Sequence, residues 1–342
     1  MIMRKICSML SLLLFIALPH PATAQNDPFT CQPPQTIGVL AGLNDPTSIT
    51  IDGDYAYIIE QKQTLVIIDL SDHTAPQLLS RTPIPLDECD RISINGDAAY
   101  LTHNSAEWFT IFKIADKTNP LFVRQFIAGT SDGQFSAFSP THIFQKSFAI
   151  NITDPFEPTI DNYTDPNFQF DDNIVAVHGN TAIAANLEQY DITDPLNPFL
   201  LDTRTFGEVD DQNTRFEYPN IISLSTTDGI VSFANISVPV NTLTPTEVQT
   251  LGFTDAVVQG NLLFVANDSI DVYAVSNSPL LVASFGSDHG INDARLIRRH
   301  GDHFVVLGFN DLAVYDISTP TRSAAHSSPK MPRSSISRAT SP

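Results

Sequence analysis

The string TLVIIDLSDHTAP, residues 64–76, returns along the chain in weakened forms such as KIADKTNP, INITDPFEP, QYDITDPLNP and VYDISTP. Aligned on the aliphatic residue that follows its first acid, the copies fall at Leu70, Ile114, Ile152, Ile192, Ile236, Val275 and Ile317, in steps of 44, 38, 40, 44, 39 and 42 residues. A period of this size means that one supersecondary unit is repeated, each copy burying its apolar faces against the next. No other feature restricts the fold so strongly.

A second landmark keeps the same register. Turn signals precede most copies, as Gly53-Asp54, Gly96-Asp97, Gly179-Asn180, Gly260-Asn261 and Gly301-Asp302, with Pro219-Asn220 in the fifth. They separate short runs in which apolar and polar residues alternate, such as SITIDGDYAYIIE and RISINGDAAYLTH, the pattern of a tight hairpin. The unit therefore reads as strand A, hairpin, strand B, an apolar strand C (TLVIIDL, IVSFANI, IDVYAV, LAVYDI) and a strand D after the proline (PQLLSRT, LFVRQFI, FLLDTRTF). Aspartate and serine bond backbone in turns and proline cannot continue a central strand, so the recurring acid, hydroxyl and proline form the exit turn from C to D. A residue repeated in every unit is architectural rather than catalytic.

Four strands in about 40 residues is the period of a propeller blade. The expected fold is all-β, a seven-bladed β-propeller of four-stranded antiparallel blades over residues 36–320. The seventh copy has no strand D after residues 318–320, whereas TIGVLAGL, residues 36–43, is an orphan strand ahead of the first copy. Supplied to the last blade, it would join the two ends and cover an open edge. The third copy, HIFQKSFAINITDPFEP, lacks a clear Gly-Asp hairpin and leaves the blade count least certain there.

The string TLVIIDLSDHTAP, together with QYDITDPLNP and VYDISTP, resembles the bacterial LVIVD-repeat family. The resemblance spans nearly all of residues 36–320. It implies a secreted or surface-associated β-propeller and little about activity, because the family is defined by its repeat and not by a catalytic motif.

The ends and the charge set further bounds. Arg4 and Lys5 precede an apolar run from Met9 to Leu18, and Ala22-Thr23-Ala24 suits signal peptidase, so residues 1–24 are read as an export signal. Residues 25–35 form a lead segment. Residues 321–342 carry four basic residues, no acid and few large apolar groups, and are expected to be a disordered tail. No apolar stretch reaches the length of a transmembrane helix, and a secreted, periplasmic or cell-surface monomer is expected. Residues 25–320 hold 38 acidic against 12 basic residues. Such a field disfavours nucleic acid and anionic lipid and leaves cations, basic proteins and neutral glycans open.

Catalytic signatures are missing: there is no HExxH, GxSxG, Walker loop or Rossmann glycine pattern. His300 and His303 flank the last hairpin and read as solvated turn residues. Topology nominates the face that carries the approaches to strand A and the B-to-C loops, where Asp45, Asp87, Glu88, Asp90, Asp171, Asp172, Asp255 and Asp293 lie. Converging carboxylates could bind calcium, though solvated loop acids are the simpler reading and no cofactor is otherwise implied. Trp108, in the second B-to-C stretch, is a candidate for stacking on a sugar or anchoring a protein. Cys31 and Cys89 are the cysteines left for a disulfide, but they start on opposite faces, so that pairing is open and not favoured. The four Asn-X-Ser/Thr sites are treated as chance. The sequence thus reads as a non-catalytic binding or scaffold protein for a protein or glycan partner. The alternative is a metal-dependent extracellular hydrolase or lyase with carboxylates at the channel mouth.

Overall fold

The structure is a computed structural model. It describes residues 34–85, 88–102, 108–127, 137–170, 174–184, 188–202, 215–217, 220–225, 230–235, 246–249, 255–259, 262–274, 280–286, 291 and 293–317. Among them the chain is all-β and contains seven four-stranded antiparallel sheets.

The strands run in simple order. β1 (Gln35–Ala41) stands ahead of the first sheet, formed by β2 (Pro46–Asp52), β3 (Tyr55–Glu60), β4 (Thr64–Asp69) and β5 (Gln77–Pro83). The second comprises β6 (Arg91–Asn95), β7 (Ala98–Thr102), β8 (Trp108–Lys113) and β9 (Leu121–Ile127). The third is short: β10 (Ala137–Phe138), β11 (His142–Phe144), β12 (Phe148–Asn151) and β13 (Thr159–Asn162). β14 (Ile174–His178), β15 (Thr181–Ala184), β16 (Gln189–Asp191) and β17 (Phe199–Asp202) make the fourth. β18 (Arg215–Glu217), β19 (Asn220–Ser225), β20 (Ile230–Asn235) and β21 (Thr246–Gln249) make the fifth. β22 (Asp255–Gln259), β23 (Leu262–Asn267), β24 (Ser269–Ala274) and β25 (Leu280–Phe285) make the sixth. The last contains β26 (Leu296–His300), β27 (His303–Leu307) and β28 (Asp311–Asp316), and its fourth strand is β1, paired antiparallel to β28 from Gln35↔Asp316 to Ala41↔Asp311.

Burial follows strand position. In the first sheet β3 and β4 are buried almost throughout, while β5 alternates and faces solvent. The continuous apolar character of the third strand thus reflects packing on both faces. Ile58, Ile59, Leu65, Val66, Ile67 and Ile68 are fully covered, each stabilising the fold by about 1.5–3 kcal/mol relative to exposure. Tyr57, Ile59, Leu65 and Ile67 pack with Ile92, Ala99, Leu101 and Phe112 of the second sheet. The opposite face, through Ile58, Val66 and Ile68, packs with Val305, Leu307, Leu312 and Val314 of the last sheet. First and last sheets are therefore direct neighbours.

The recurring string has a defined bonding role. The amide at its period mark donates to the A-to-B hairpin of its own sheet: Leu70 to Asp54 O, Ile114 to Asp97 O, Ile152 to Thr141 O and Ile192 to Asn180 O, each at 2.8 Å, and Ile317 to Asp302 O at 3.0 Å. Ile236 and Val275 lie outside the described residues. The acids of the exit turn accept local amides, as Asp69 does from Ser71 and Asp72, Asp116 and Asp154 from the residue two further on. The third copy lacks the glycine hairpin yet keeps this bond. Its short strands are supported by edge-on packing among Phe144, Tyr163, Phe168, Phe170 and Tyr190, and the Tyr163 hydroxyl bonds the Gln145 carbonyl at 2.7 Å.

Two predictions follow from this bonding. A Cβ at Gly38 of β1 would overlap the His73 carbonyl oxygen and stand 2.9 Å from Pro76 Cδ. Gly38→Ala should therefore destabilise the protein by about 1–3 kcal/mol, read by chemical denaturation; an unchanged midpoint would contradict the close approach of β1 to the first sheet. The Thr74, Thr118 and Thr193 hydroxyls, seconded by backbone amides, hold Asp72, Asp116 and Asp191 below the usual carboxylate range. Their stabilisation is complete above about pH 4 and is lost as pH falls through the depressed values. Replacing all three by Asn should flatten the acid limb of stability below about pH 4, measured by urea unfolding at stepped pH.

Candidate functional site

The two faces of the sheets are built differently. Gly53, Gly96, Gly179 and Gly301 sit in A-to-B hairpins with φ between 55° and 59°, the left-handed conformation that glycine adopts without a Cβ penalty. Non-glycine residues in that region lie on the opposite face: Asp45 and Asp293 before strands β2 and β26, Gln61 and Lys62 in the β3–β4 loop, and Asp268 in the β23–β24 loop. A side chain held at positive φ is costly and persists where surrounding bonds over-determine it.

Those bonds form a recurring junction. The approach to one sheet donates an amide to the loop of the preceding sheet: Cys89 to Lys62 O at 2.7 Å, Phe170 to Lys146 O at 2.9 Å and Ala294 to Asp268 O at 3.1 Å. Asp45 donates in the same way to Phe309 O of the last sheet, at 3.0 Å, and Gly42 and Leu43 both donate to Asn310 O. The junction between chain ends thus repeats the one used between sequence neighbours.

Of the acids nominated from sequence, Asp45, Glu88, Asp90, Asp255 and Asp293 are described and lie at these junctions, each near a cation. Arg295 bonds both Asp45 (Nη1 to Oδ1, 2.7 Å) and Asp293 (Nε to Oδ2, 2.9 Å), and its guanidinium lies 4.6 Å from the centre of the Phe309 ring. Lys62 pairs with Asp90 at 2.6 Å and stands 3.9 Å from Glu88; the hydrogen bond to Asp90 holds the lysine above its ordinary range. Asp255 is buried and accepts from the Ile297 amide at 2.8 Å and from Arg298 Nη1. Asp87, Asp171 and Asp172 lie outside the described residues. Among the described residues, no group of three or more His, Cys, Asp or Glu side chains is placed to hold a metal ion. Arg295 takes one oxygen each of Asp45 and Asp293, Lys62 pairs with Asp90, and Arg298 pairs with Asp255.

Other nominated residues are also placed. Trp108 begins β8 opposite Ile127 and is half-buried, so it belongs to a strand and not to the loop before it. Cys89 is fully buried, while Cys31 lies outside the described residues. His300 and His303 are not simple solvated turn residues, since His73 from the first sheet packs between them: His73 Nε2 meets His300 Nδ1 at 2.9 Å and its ring stacks on His303 at 4.0 Å.

Sequence reasoning passed over the cations and a further acid. Glu60, at the end of β3, is buried and receives two bonds from Arg81, each 3.1 Å, plus the Asn44 amide. Arg81 reaches on to Gly42 O, tying the first sheet to the end of β1. One signal was available: with 12 basic residues among 38 acids in residues 25–320, each arginine was a candidate for a specific partner. Asp311, at the start of β28, is held above the usual carboxylate range by burial and then by Asp293.

Removing one partner of a buried pair should cost more than removing an exposed one. Arg298→Met strands Asp255 and is expected to lower stability by about 3–5 kcal/mol, whereas Arg124→Met, whose partner Glu157 is mostly exposed, should cost at most about 1 kcal/mol. Urea unfolding of both variants decides, and equal losses would contradict the assignment.

Comparison with known proteins agrees with this architecture. Residues 45–82, from Asp45 to the penultimate residue of β5, match the family model for the LVIVD repeat. No curated protein sequence matches the chain. Among solved structures, the β-propeller domain of Cps50 (Swd1) from Myceliophteria thermophila has a TM-score of 0.55 at 11% identity, covering 83% of this chain and 99% of that one. Selenomethionine-substituted virginiamycin B lyase from Staphylococcus aureus has a TM-score of 0.54 at 13% identity, covering 81% and 98%. At such identities the likeness concerns the fold alone. Residues 45–82 thus carry one LVIVD repeat, and the four-stranded sheets of the chain have the fold of a β-propeller.

Proposed function

We propose that the seven sheets are the blades of a seven-bladed propeller closed by β1, exported by way of residues 1–24, and that it acts outside the cytoplasm as a non-catalytic binding protein for a protein or glycan partner. The observation that carries this reading is the contrast between the two faces. Hairpins on one face are set by glycine and repeat, whereas the other face holds non-glycine residues at positive φ together with its own charged network. Non-repeating loops on a rigid scaffold are where recognition resides. Phe309, partly exposed beside Arg295, and the exposed Glu88 supply an aromatic and a charged contact on that face. Asp45, Asp90, Asp255 and Asp293 are engaged with cations and position the loops of that face.

The test uses the mature protein as bait in its native extracellular fraction. Phe309→Ser combined with Glu88→Lys should abolish capture of a specific partner, while Asp97→Lys on the hairpin face should leave it intact. Capture lost with the hairpin variant alone, or retained with both, would contradict the assignment of the binding face.

A further inference from the structure

His73, His300 and His303 come from two sheets at opposite ends of the chain. His73 lies in the β4–β5 turn of the first sheet, and the other two flank the β26–β27 hairpin of the last. Their rings are in direct contact. His73 Nε2 and His300 Nδ1 are 2.9 Å apart, one nitrogen donating to the lone pair of the other, and His73 stacks on His303 with 19° between ring planes. The stack sits on the β1 seam, because Gly38 of β1 runs against the His73 carbonyl and Pro76. We propose that this three-histidine stack is a pH-responsive clasp on the seam where the two ends of the chain meet, closed when the rings are neutral and loosened when they gain protons.

The geometry allows one hydrogen between His73 and His300. One added proton leaves an imidazolium donating to the other ring, whereas protonation of both rings sets N–H against N–H, removes the bond and places like charges in contact. Near-parallel stacking also keeps His73 and His303 from pointing lone pairs at one metal ion, which leaves proton binding as the chemistry of the cluster. Burial first, and then the neighbouring His303 and His300, hold His73 below the ordinary imidazole range. A folded-state pKa below the unfolded one gives full stability above the unfolded value and loss as pH falls through the folded one. The window therefore opens below about pH 6.5.

Surrounding charges moderate the effect without reversing it. Asp54, in the β2–β3 turn, stands 3.9 Å from His300 Nε2, and with Asp72 it opposes the depression at His73. The β26–β27 hairpin adds Asp302 and the cation Arg299, whose Nε bonds Gly301 O. Asp316 of β28 is the strand partner of His303, and β1 brings no titratable side chain. Asp311, at the other end of β28, has its pKa raised, so acid favours its folded form and cannot loosen the strand. His142 in the third sheet is also held low by burial, and its contribution is not local to the seam.

Hydrogen exchange of the β1 amides, residues 35–41, tests the clasp in the full chain. Between about pH 7.5 and about pH 5, after correction for the intrinsic exchange rate, the wild type should lose protection in β1. His73→Gln should diminish that loss, and so should His303→Gln, which removes the stacked ring but keeps the His73–His300 bond and serves if the first variant folds poorly. His142→Gln should leave the loss in place. The proposal is overturned if wild-type β1 keeps its protection at the lower pH, or if the loss persists in full in both His73→Gln and His303→Gln.

Discussion

A four-stranded sheet whose middle strands are apolar on both faces must be covered on both sides, and only neighbouring sheets can do this. Ile58, Val66 and Ile68 turn one way towards the last sheet, and Ile59, Leu65 and Ile67 turn the other way towards the second. The first sheet thus depends on two others, and the first and last sheets depend on each other across most of the sequence. The pairing of β1 with β28 meets this demand in hydrogen bonds as the aliphatic packing does in buried area. Arg81, bonding Glu60 and Gly42 O, and Arg295, bonding Asp45, fasten the same junction from one face. The histidine stack touches it from the other.

Scarce positive charge explains much of the side-chain architecture. Asp72 and Asp116 remain in turns, where hydroxyls and amides stabilise the ionised form at no cost in burial. Arg298, Arg81 and Lys62 stand where an acid is partly or wholly withdrawn from water, at Asp255, Glu60 and Asp90. A buried carboxylate needs such a partner, and Arg298 with Asp255 fastens one sheet to the next in this way.

Legibility in the sequence tracked the range of the interaction. The exit turn and hairpin were readable because the Asp69 to Ser71 and Leu70 to Asp54 bonds lie within one repeat. The orphan strand was readable because the last copy visibly lacked a partner. Arg298 and Asp255, 43 residues apart, and His73 and His300, 227 residues apart, leave no local pattern. Trp108, read in the B-to-C stretch, begins β8 because strand boundaries depend on cross-strand partners such as Ile127. The shortened third sheet keeps its bond from Ile152 but rests on aromatic contacts that the repeat does not encode.

The central claim is that the two ends of the chain meet in one sheet, and a cross-link tests it directly. Val39 of β1 and Ala313 of β28 are directly opposed, within the reach of a disulfide for paired strand residues. The double variant Val39→Cys/Ala313→Cys, oxidised under native conditions and mapped by peptide mass spectrometry, should link residue 39 to residue 313 in monomeric protein that retains its native thermal transition. A folded monomer in which these two cysteines remain unlinked would contradict the account.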